Sequence, residues 1–381
     1  MAAALAAMIG GGCDGNGVNH TECLARANEI LKESLRHDRS DVRALALEAY
    51  RDLNRVAPAE ELEVILARDL VPTRFEAAMA RAEQARRTSL RMALLSAMRD
   101  QGSSPGGRNE PFRQAETVVP RALDSRSPVL RTVALDVLRD VQSRLNREPG
   151  ASLKELLTDP RTPSILATLL TEAERNRQQD RTLLLGLMQK ESDANVRLAL
   201  AYGLARTGDD RYMPLLASGL AGKEPSLRRN AALILGLLGN RSAADMLYER
   251  LTDGDLVARL SAAEAMARLG DTRGLPVIRN LALGRTPAEP WIQTSAILAL
   301  GRVGIPLQDI DDLRLLGAKG TPVDGSVRLA AWGARGMLGD YSQMSILAEC
   351  ASGRAELDTQ GRAMALQLLA QVSYGPAWRD A

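Results

Sequence analysis

Histidine is almost missing from this chain: His20 and His37 are the only two in 381 residues. That removes the commonest general base and a principal zinc ligand from nearly the whole sequence. His20-Thr21-Glu22-Cys23, with His37 and Asp38 nearby, has ligand-like spacing. Zinc needs about four ligands in a defined geometry, and no CxxC or HxxxH completes the set. The plainer reading is a helix start capped by Asn19 or Thr21. No metal, no cofactor and no catalytic residue is expected. Cysteine is equally scarce, at three, and Cys13, Cys23 and Cys350 do not form the even, closely spaced pattern of a disulfide framework. Cys23 and Cys350 read as small core residues. Aromatics are 3% of the chain, so few rings are available to stack on bases. Net charge is only +2, which denies the protein the basic footprint of a nucleic-acid binder. Only five of its 49 basic residues are lysine, a skew read as codon bias, not phosphate recognition. The densest basic run, Arg81, Arg86, Arg87 and Arg91, is expected to be a solvated helix face.

Familiar motifs fail for want of context. Gly10-x-Gly12-x-x-Gly15 follows no strand, so its glycines have no pyrophosphate to approach. Gly222-Lys223 ends like a phosphate loop, but Glu224 stands where a magnesium-binding hydroxyl is required. Asp309, Asp311 and Asp312 suit a helix start, where carboxylates favour the positive end of the dipole.

What is present is a repeat. Arg197, Arg228 and Arg259 stand 31 residues apart, in NVRLALAYGLARTGD, SLRRNAALILGLLGN and VARLSAAEAMARLGD. The register continues through Gln293, Arg328 and Arg362, and back through Arg131, Arg91 and Arg43. Allowing one degenerate repeat within 152–190, about ten repeats cover residues 24–375, with an inserted loop at 101–111. Each reads as two antiparallel helices. Leu227, Ala231, Leu235 and Leu238 form one apolar stripe, and Ala244, Leu247 and Leu251 face it from the second helix. Gly208, Gly239 and Gly270 fall where the first helix must end left-handed. Pro214 and Pro276 fall at the start of the second, where a missing N–H costs least.

These VR..A...L...GD phrases, best over 193–283 and 326–350, resemble the HEAT-repeat family, specifically the short bacterial repeats also found in phycobilisome bilin lyases. The resemblance implies an all-α, right-handed solenoid of stacked antiparallel helix pairs. It also implies that the recurring arginine bonds acidic or backbone groups of an adjacent turn. Asp41, Asp193, Glu224 and Asp255, two to four residues before Arg43, Arg197, Arg228 and Arg259, are the expected acids. Arg328 belongs to the same ladder, whose role is to fix register between repeats. No bilin-handling residue can be singled out, so the lyase activity is not carried over.

Residues 1–19 read as a signal-like segment and tether, 20–150 as irregular repeats, and 151–381 as the regular solenoid. The apolar run 2–9 is too short to span a bilayer, but it fits a secretory signal. The small residues before Cys13 resemble a lipobox, in which that cysteine is lipidated. The expectation is therefore a monomeric, non-catalytic scaffold, lipid-anchored in the cell envelope, that binds another protein and no nucleic acid. Its candidate contacts are Arg211, Tyr212, Arg241, Tyr248, Arg273, Arg279 and Tyr341, on the second-helix side of the repeats. The alternatives are an enzyme related to bilin lyases and a cytoplasmic nucleic-acid-binding HEAT protein.

Overall fold

The computed structural model describes residues 29, 31–52, 56–99, 118–123, 128–147, 152–318, 323–352 and 359–373. Cys13, Cys23, His20, the glycines at 10–15 and the loop at 101–111 lie outside them. Among the described residues the chain is helical and contains no strand. It is an all-α protein built of helix pairs.

The helices are α1 (Ser40–Asp52), α2 (Ala59–Arg68), α3 (Val71–Arg99), α4 (Pro128–Arg144), α5 (Leu153–Thr158), α6 (Thr162–Lys190), α7 (Ala194–Arg206), α8 (Met213–Leu220), α9 (Pro225–Leu238), α10 (Ala244–Glu249), α11 (Leu256–Arg268), α12 (Leu275–Ala282), α13 (Pro290–Val303), α14 (Pro306–Gly317), α15 (Gly325–Met337), α16 (Met344–Ser352) and α17 (Thr359–Ser373). They group into two compact units, one drawn from 1–80, 192–202 and 211–381, the other from 81–191 and 203–210.

In the first unit, α7, α9, α11, α13, α15 and α17 are the first helices of successive repeats. Their boundaries follow from local chemistry. Gly208, Gly239, Gly270 and Gly339 close α7, α9, α11 and α15 with φ of 87°, 76°, 82° and 103°, a conformation that a Cβ disfavours. Pro214 and Pro276 sit in the first turns of α8 and α12. Asp255 and Asp324 cap α11 and α15, their carboxylates accepting the N–H groups of Ala258 and Ser326 at 2.8 Å each. Alanine and leucine fill the core, as in Ala231, Ala232, Ile234, Leu235 and Leu247. Cys350 is buried in the core around Leu347 and Leu368. The first and last labelled helices of this unit, α1 and α17, touch each other.

Close packing of neighbouring first helices depends on one position. On α9 it is Gly236, where a Cβ would lie 2.7 Å from the Cα of Ala265 on α11. On α13 the equivalent is Gly301, where a Cβ would lie 2.8 Å from the Cα of Ala334 on α15. Backbone meets backbone at both crossings, and no side chain larger than hydrogen fits between them. On α11 the equivalent residue is Ala267. There α11 and α13 touch over a much shorter stretch, and on that side α13 leans mainly on α12.

The second unit has its own apolar core around Leu95, Val137, Val141, Leu166 and Leu169. Its 81–89 and 177–181 segments are more polar. Thr88 donates to Asp180 at 3.0 Å, and burial pushes the Asp180 carboxyl up.

Candidate functional site: the arginine rows of the repeats

The recurring arginine enters from the first turn of each first helix. The Nε and Nη2 of Arg228 donate to both oxygens of Asp253, at 2.6 and 2.8 Å, a bidentate pair across two repeats. Its Nη1 donates to the carbonyls of Gly222 and Lys223 at 3.0 and 2.7 Å. Arg43 repeats the device, pairing with Asp69 at 2.5 Å and reaching the carbonyls of His37 and Asp38. Arg259 uses backbone alone, donating twice to the carbonyl of Asp253. Gln293 keeps only that part of the role, donating to the carbonyl of Ala282 at 3.0 Å. Arg197 and Arg328 hold the same register, half-buried, on α7 and α15.

Three of the expected acids need correcting, since Arg259 takes the Asp253 carbonyl and not the Asp255 carboxylate. The carboxylates that pair with Arg43 and Arg228 are Asp69 and Asp253, not Asp41 and Glu224. The reason is geometric. Asp41 pairs with Arg39 instead, and Glu224 stands at the N-cap of α9 without a side-chain cap bond. Asp193 and Asp255 do cap their helices, on Val196 and Ala258. Asp253 lies in the turn that carries the chain into the next repeat, where the guanidinium can reach it. Its shared signal was the spacing: Asp69 and Asp253 follow Arg43 and Arg228 by 26 and 25 residues. The Arg228 guanidinium holds the Asp253 carboxyl below its usual range. At Asp69 burial acts to raise the carboxyl, but Arg43 and Ser40 outweigh it and the net shift is downward.

Beside the Arg228–Asp253 pair lies an open polar cleft of about 340 Å³, lined by Gly222, Arg228, Glu249, Arg250, Thr252, Asp253 and Gly254. Most of its charges are committed to one another, so it offers no convergent free groups for catalysis.

A second arginine row runs along the turns before the second helices. Arg211, Arg241, Arg273 and Tyr248 are exposed, and Tyr212 and Tyr341 are half-buried. Arg273 lies 4.6 Å from the centre of the Tyr248 ring and pairs with Asp271 at 2.6 Å and with Asp245 of the preceding repeat at 3.2 Å. Arg211 stands 6.0 Å from the ring of its neighbour Tyr212. Met246 adds exposed apolar surface next to Tyr248. Arg279 is different from its expectation as an exposed contact. It is largely buried and pairs at 2.6 Å with Asp309, which is fully buried and also accepts the Ile305 N–H. A second-helix arginine at that position faces the next repeat, so it serves packing.

The run Arg81, Arg86, Arg87 and Arg91 is not a solvated face. All four side chains are half-buried in the second unit. Arg86 pairs with Glu83 and Arg91 with Asp140, and burial lowers the Arg87 guanidinium. The run reads as basic only until α3 is packed against its acidic neighbours.

One charged cluster had no counterpart in the sequence reading. Glu264 of α11 accepts from Arg268 of its own helix at 2.7 Å and from Arg302 of α13 at 2.8 Å. Burial works to raise its carboxyl, but the two guanidiniums outweigh that and hold it at about 2. Among the described residues no group of three His, Cys, Asp or Glu is placed to hold a metal ion. No described helix is long and apolar enough to cross a membrane.

With this geometry the comparisons agree. Residues 180–267 match the family model of HEAT repeats, and 258–284 match the PBS lyase HEAT-like repeat. The chain is also similar to the phycocyanobilin lyase subunit alpha of Picosynechococcus sp., 34% identical over 110 residues. That similarity covers 26% of this chain and 41% of the lyase subunit, well under half of each. The HEAT segment coincides with the best-ordered part of the arginine ladder, from Arg197 to Arg259.

Proposed function

We propose that this protein is a non-catalytic interaction scaffold, whose stacked HEAT repeats present the Arg211–Arg241–Tyr248–Arg273 row to a partner protein. The observation that carries this reading is the division between the two arginine rows. The first-helix row is spent on register, through Asp69, Asp253 and turn carbonyls. The second row stays at the surface, beside exposed Tyr248 and Met246. Arginine and tyrosine are frequent anchors at interfaces, and a repeat array spreads such anchors over a large area. Tyr212 and Tyr341 extend the row at its edges, and the monomer is the binding form.

The same proposal places the protein in the cell envelope, exported and held to the membrane by a lipid on Cys13. It rests on the apolar run 2–9 and the small residues before that cysteine. Intact-mass measurement of the natively expressed protein tests it. Loss of residues 1–12 with a lipid-sized mass on Cys13 is expected, and an unprocessed soluble chain would remove the envelope part. Crosslinking in native cells should then capture a partner through the second row. A Tyr248→Ala/Arg273→Ala double variant should lose that crosslink while keeping its helical content and Tm near wild type.

The identity with a lyase subunit favours a second reading, an enzyme acting on a bilin. Binding of a bilin with a change in its absorption spectrum, at stoichiometric protein, would support it over the scaffold.

A further inference from the structure

We propose that the crossing of α11 and α13 is a joint in the repeat array of the first unit, latched by the Arg268–Glu264–Arg302 bridge. Three observations converge on it. The neighbouring crossings, α9 with α11 and α13 with α15, are locked by glycine against alanine backbone, at Gly236–Ala265 and Gly301–Ala334. At the α11–α13 crossing the equivalent residue is Ala267, and the helices meet over a short stretch only. The ladder also differs here, because Arg259 of α11 donates to the carbonyl of Asp253 and takes no carboxylate in the turn before α13. The crossing lacks the backbone interlock of both neighbours and the bidentate pair that holds the turn at α9–α11. The Glu264–Arg302 bridge spans α11 and α13, while the buried Arg279–Asp309 pair ties α12 to α14.

Beneath the bridge the apolar core is continuous, with Leu260 and Ala263 of α11, Leu275 and Ile278 of α12, and Ile292 and Ala296 of α13 in one cluster. Apolar contacts are non-directional, so they tolerate a small rotation that a glycine–alanine interlock forbids. The Arg279–Asp309 pair holds α12 to α14 on the hinge side, and the Glu264–Arg302 bridge holds α11 to α13. Opening that bridge swings α13 and the repeats that follow it relative to α11, on the hinge supplied by the α12–α13 hairpin and residues 283–289. This device does not depend on the scaffold reading, and it would equally serve an enzyme.

Hydrogen exchange on the full chain tests it. In the wild type, buried amides of α11 and α13 should exchange before those of α9 and α15. Glu264→Gln and Arg302→Gln each cut the cross-helix bond. Both should speed exchange over 256–303 by about 5–30-fold, the effect of one to two kcal/mol, and leave 225–238 and 325–337 unchanged. Arg268→Gln cuts only the bond within α11 and should leave exchange across the joint as it was. A uniform rise along the whole unit, or no rise in either variant, would overturn the proposal. Should both variants fail to fold, the wild-type order of exchange still decides: equal protection of α9, α11, α13 and α15 would refute a joint.

Discussion

The crossings α9–α11 and α11–α13 lie side by side in one stack and are held in different ways. At the first, Gly236 lets two backbones touch, and Arg228 ties the turn with a bidentate pair to Asp253. At the second, Ala267 stands in the glycine's place, Arg259 donates to a backbone carbonyl, and Glu264 reaches across to Arg302. The lesson is that a repeat can conserve its apolar core while varying the stiffness of its junctions. One methyl group and the acceptor of one arginine distinguish an interlocked crossing from a bridged one.

The comparison can be broken most strongly at Arg228. Arg228→Ala leaves the Asp253 carboxylate buried without its cation, and urea unfolding should show a loss of about 3–5 kcal/mol. An unchanged midpoint would mean that the ladder carries no register.

Glu264→Gln should cost less, roughly 1.5–3 kcal/mol, as expected for hydrogen bonds to a charged group. It should also leave a pH signature. The Glu264 carboxyl titrates at about 2 in the folded chain, below its ordinary 4.5. The bridge therefore contributes fully above about pH 5, and that contribution is lost as pH falls towards 2. The stability difference between wild type and Glu264→Gln should shrink over that window. A difference that stays constant from pH 6 to pH 3 would contradict the assignment.

Gly301→Ala and Gly236→Ala insert a methyl between backbones and should each destabilise by about 1–3 kcal/mol. At the wide crossing, Ala267→Gly should cost only its helix propensity, about 1 kcal/mol. If all three substitutions cost the same by thermal or urea melts, the interlock has no special weight. Gly186→Ala, in α6 where no atom lies within 4 Å of a new Cβ, should reverse the sign. A gain of about 0.4–1 kcal/mol is expected there, since only chain entropy changes.

Much of the fold was legible before any coordinate. Gly208, Gly239 and Gly270 announced left-handed helix ends, and Pro214 and Pro276 announced helix starts, because each residue type suits few backbone conformations. The acids of the ladder were not legible in the same way. Asp41 and Glu224 are near their arginines along the chain, yet Asp69 and Asp253 are near them in space. Arg279 and the Arg81–Arg91 run were misread as surface for the same reason. A charge looks solvated until a buried carboxylate, such as Asp309, is packed beside it.

By itself the sequence determined the helices, their pairing and the repeat, since periodicity and turn chemistry are local properties. Only the tertiary structure decided which arginines are spent on register and which remain at the surface. It alone showed that Glu264 and Arg302, 38 residues apart, meet across a crossing that glycine does not close. Such choices depend on distances between helices, and those are set by the side chains of both partners at once.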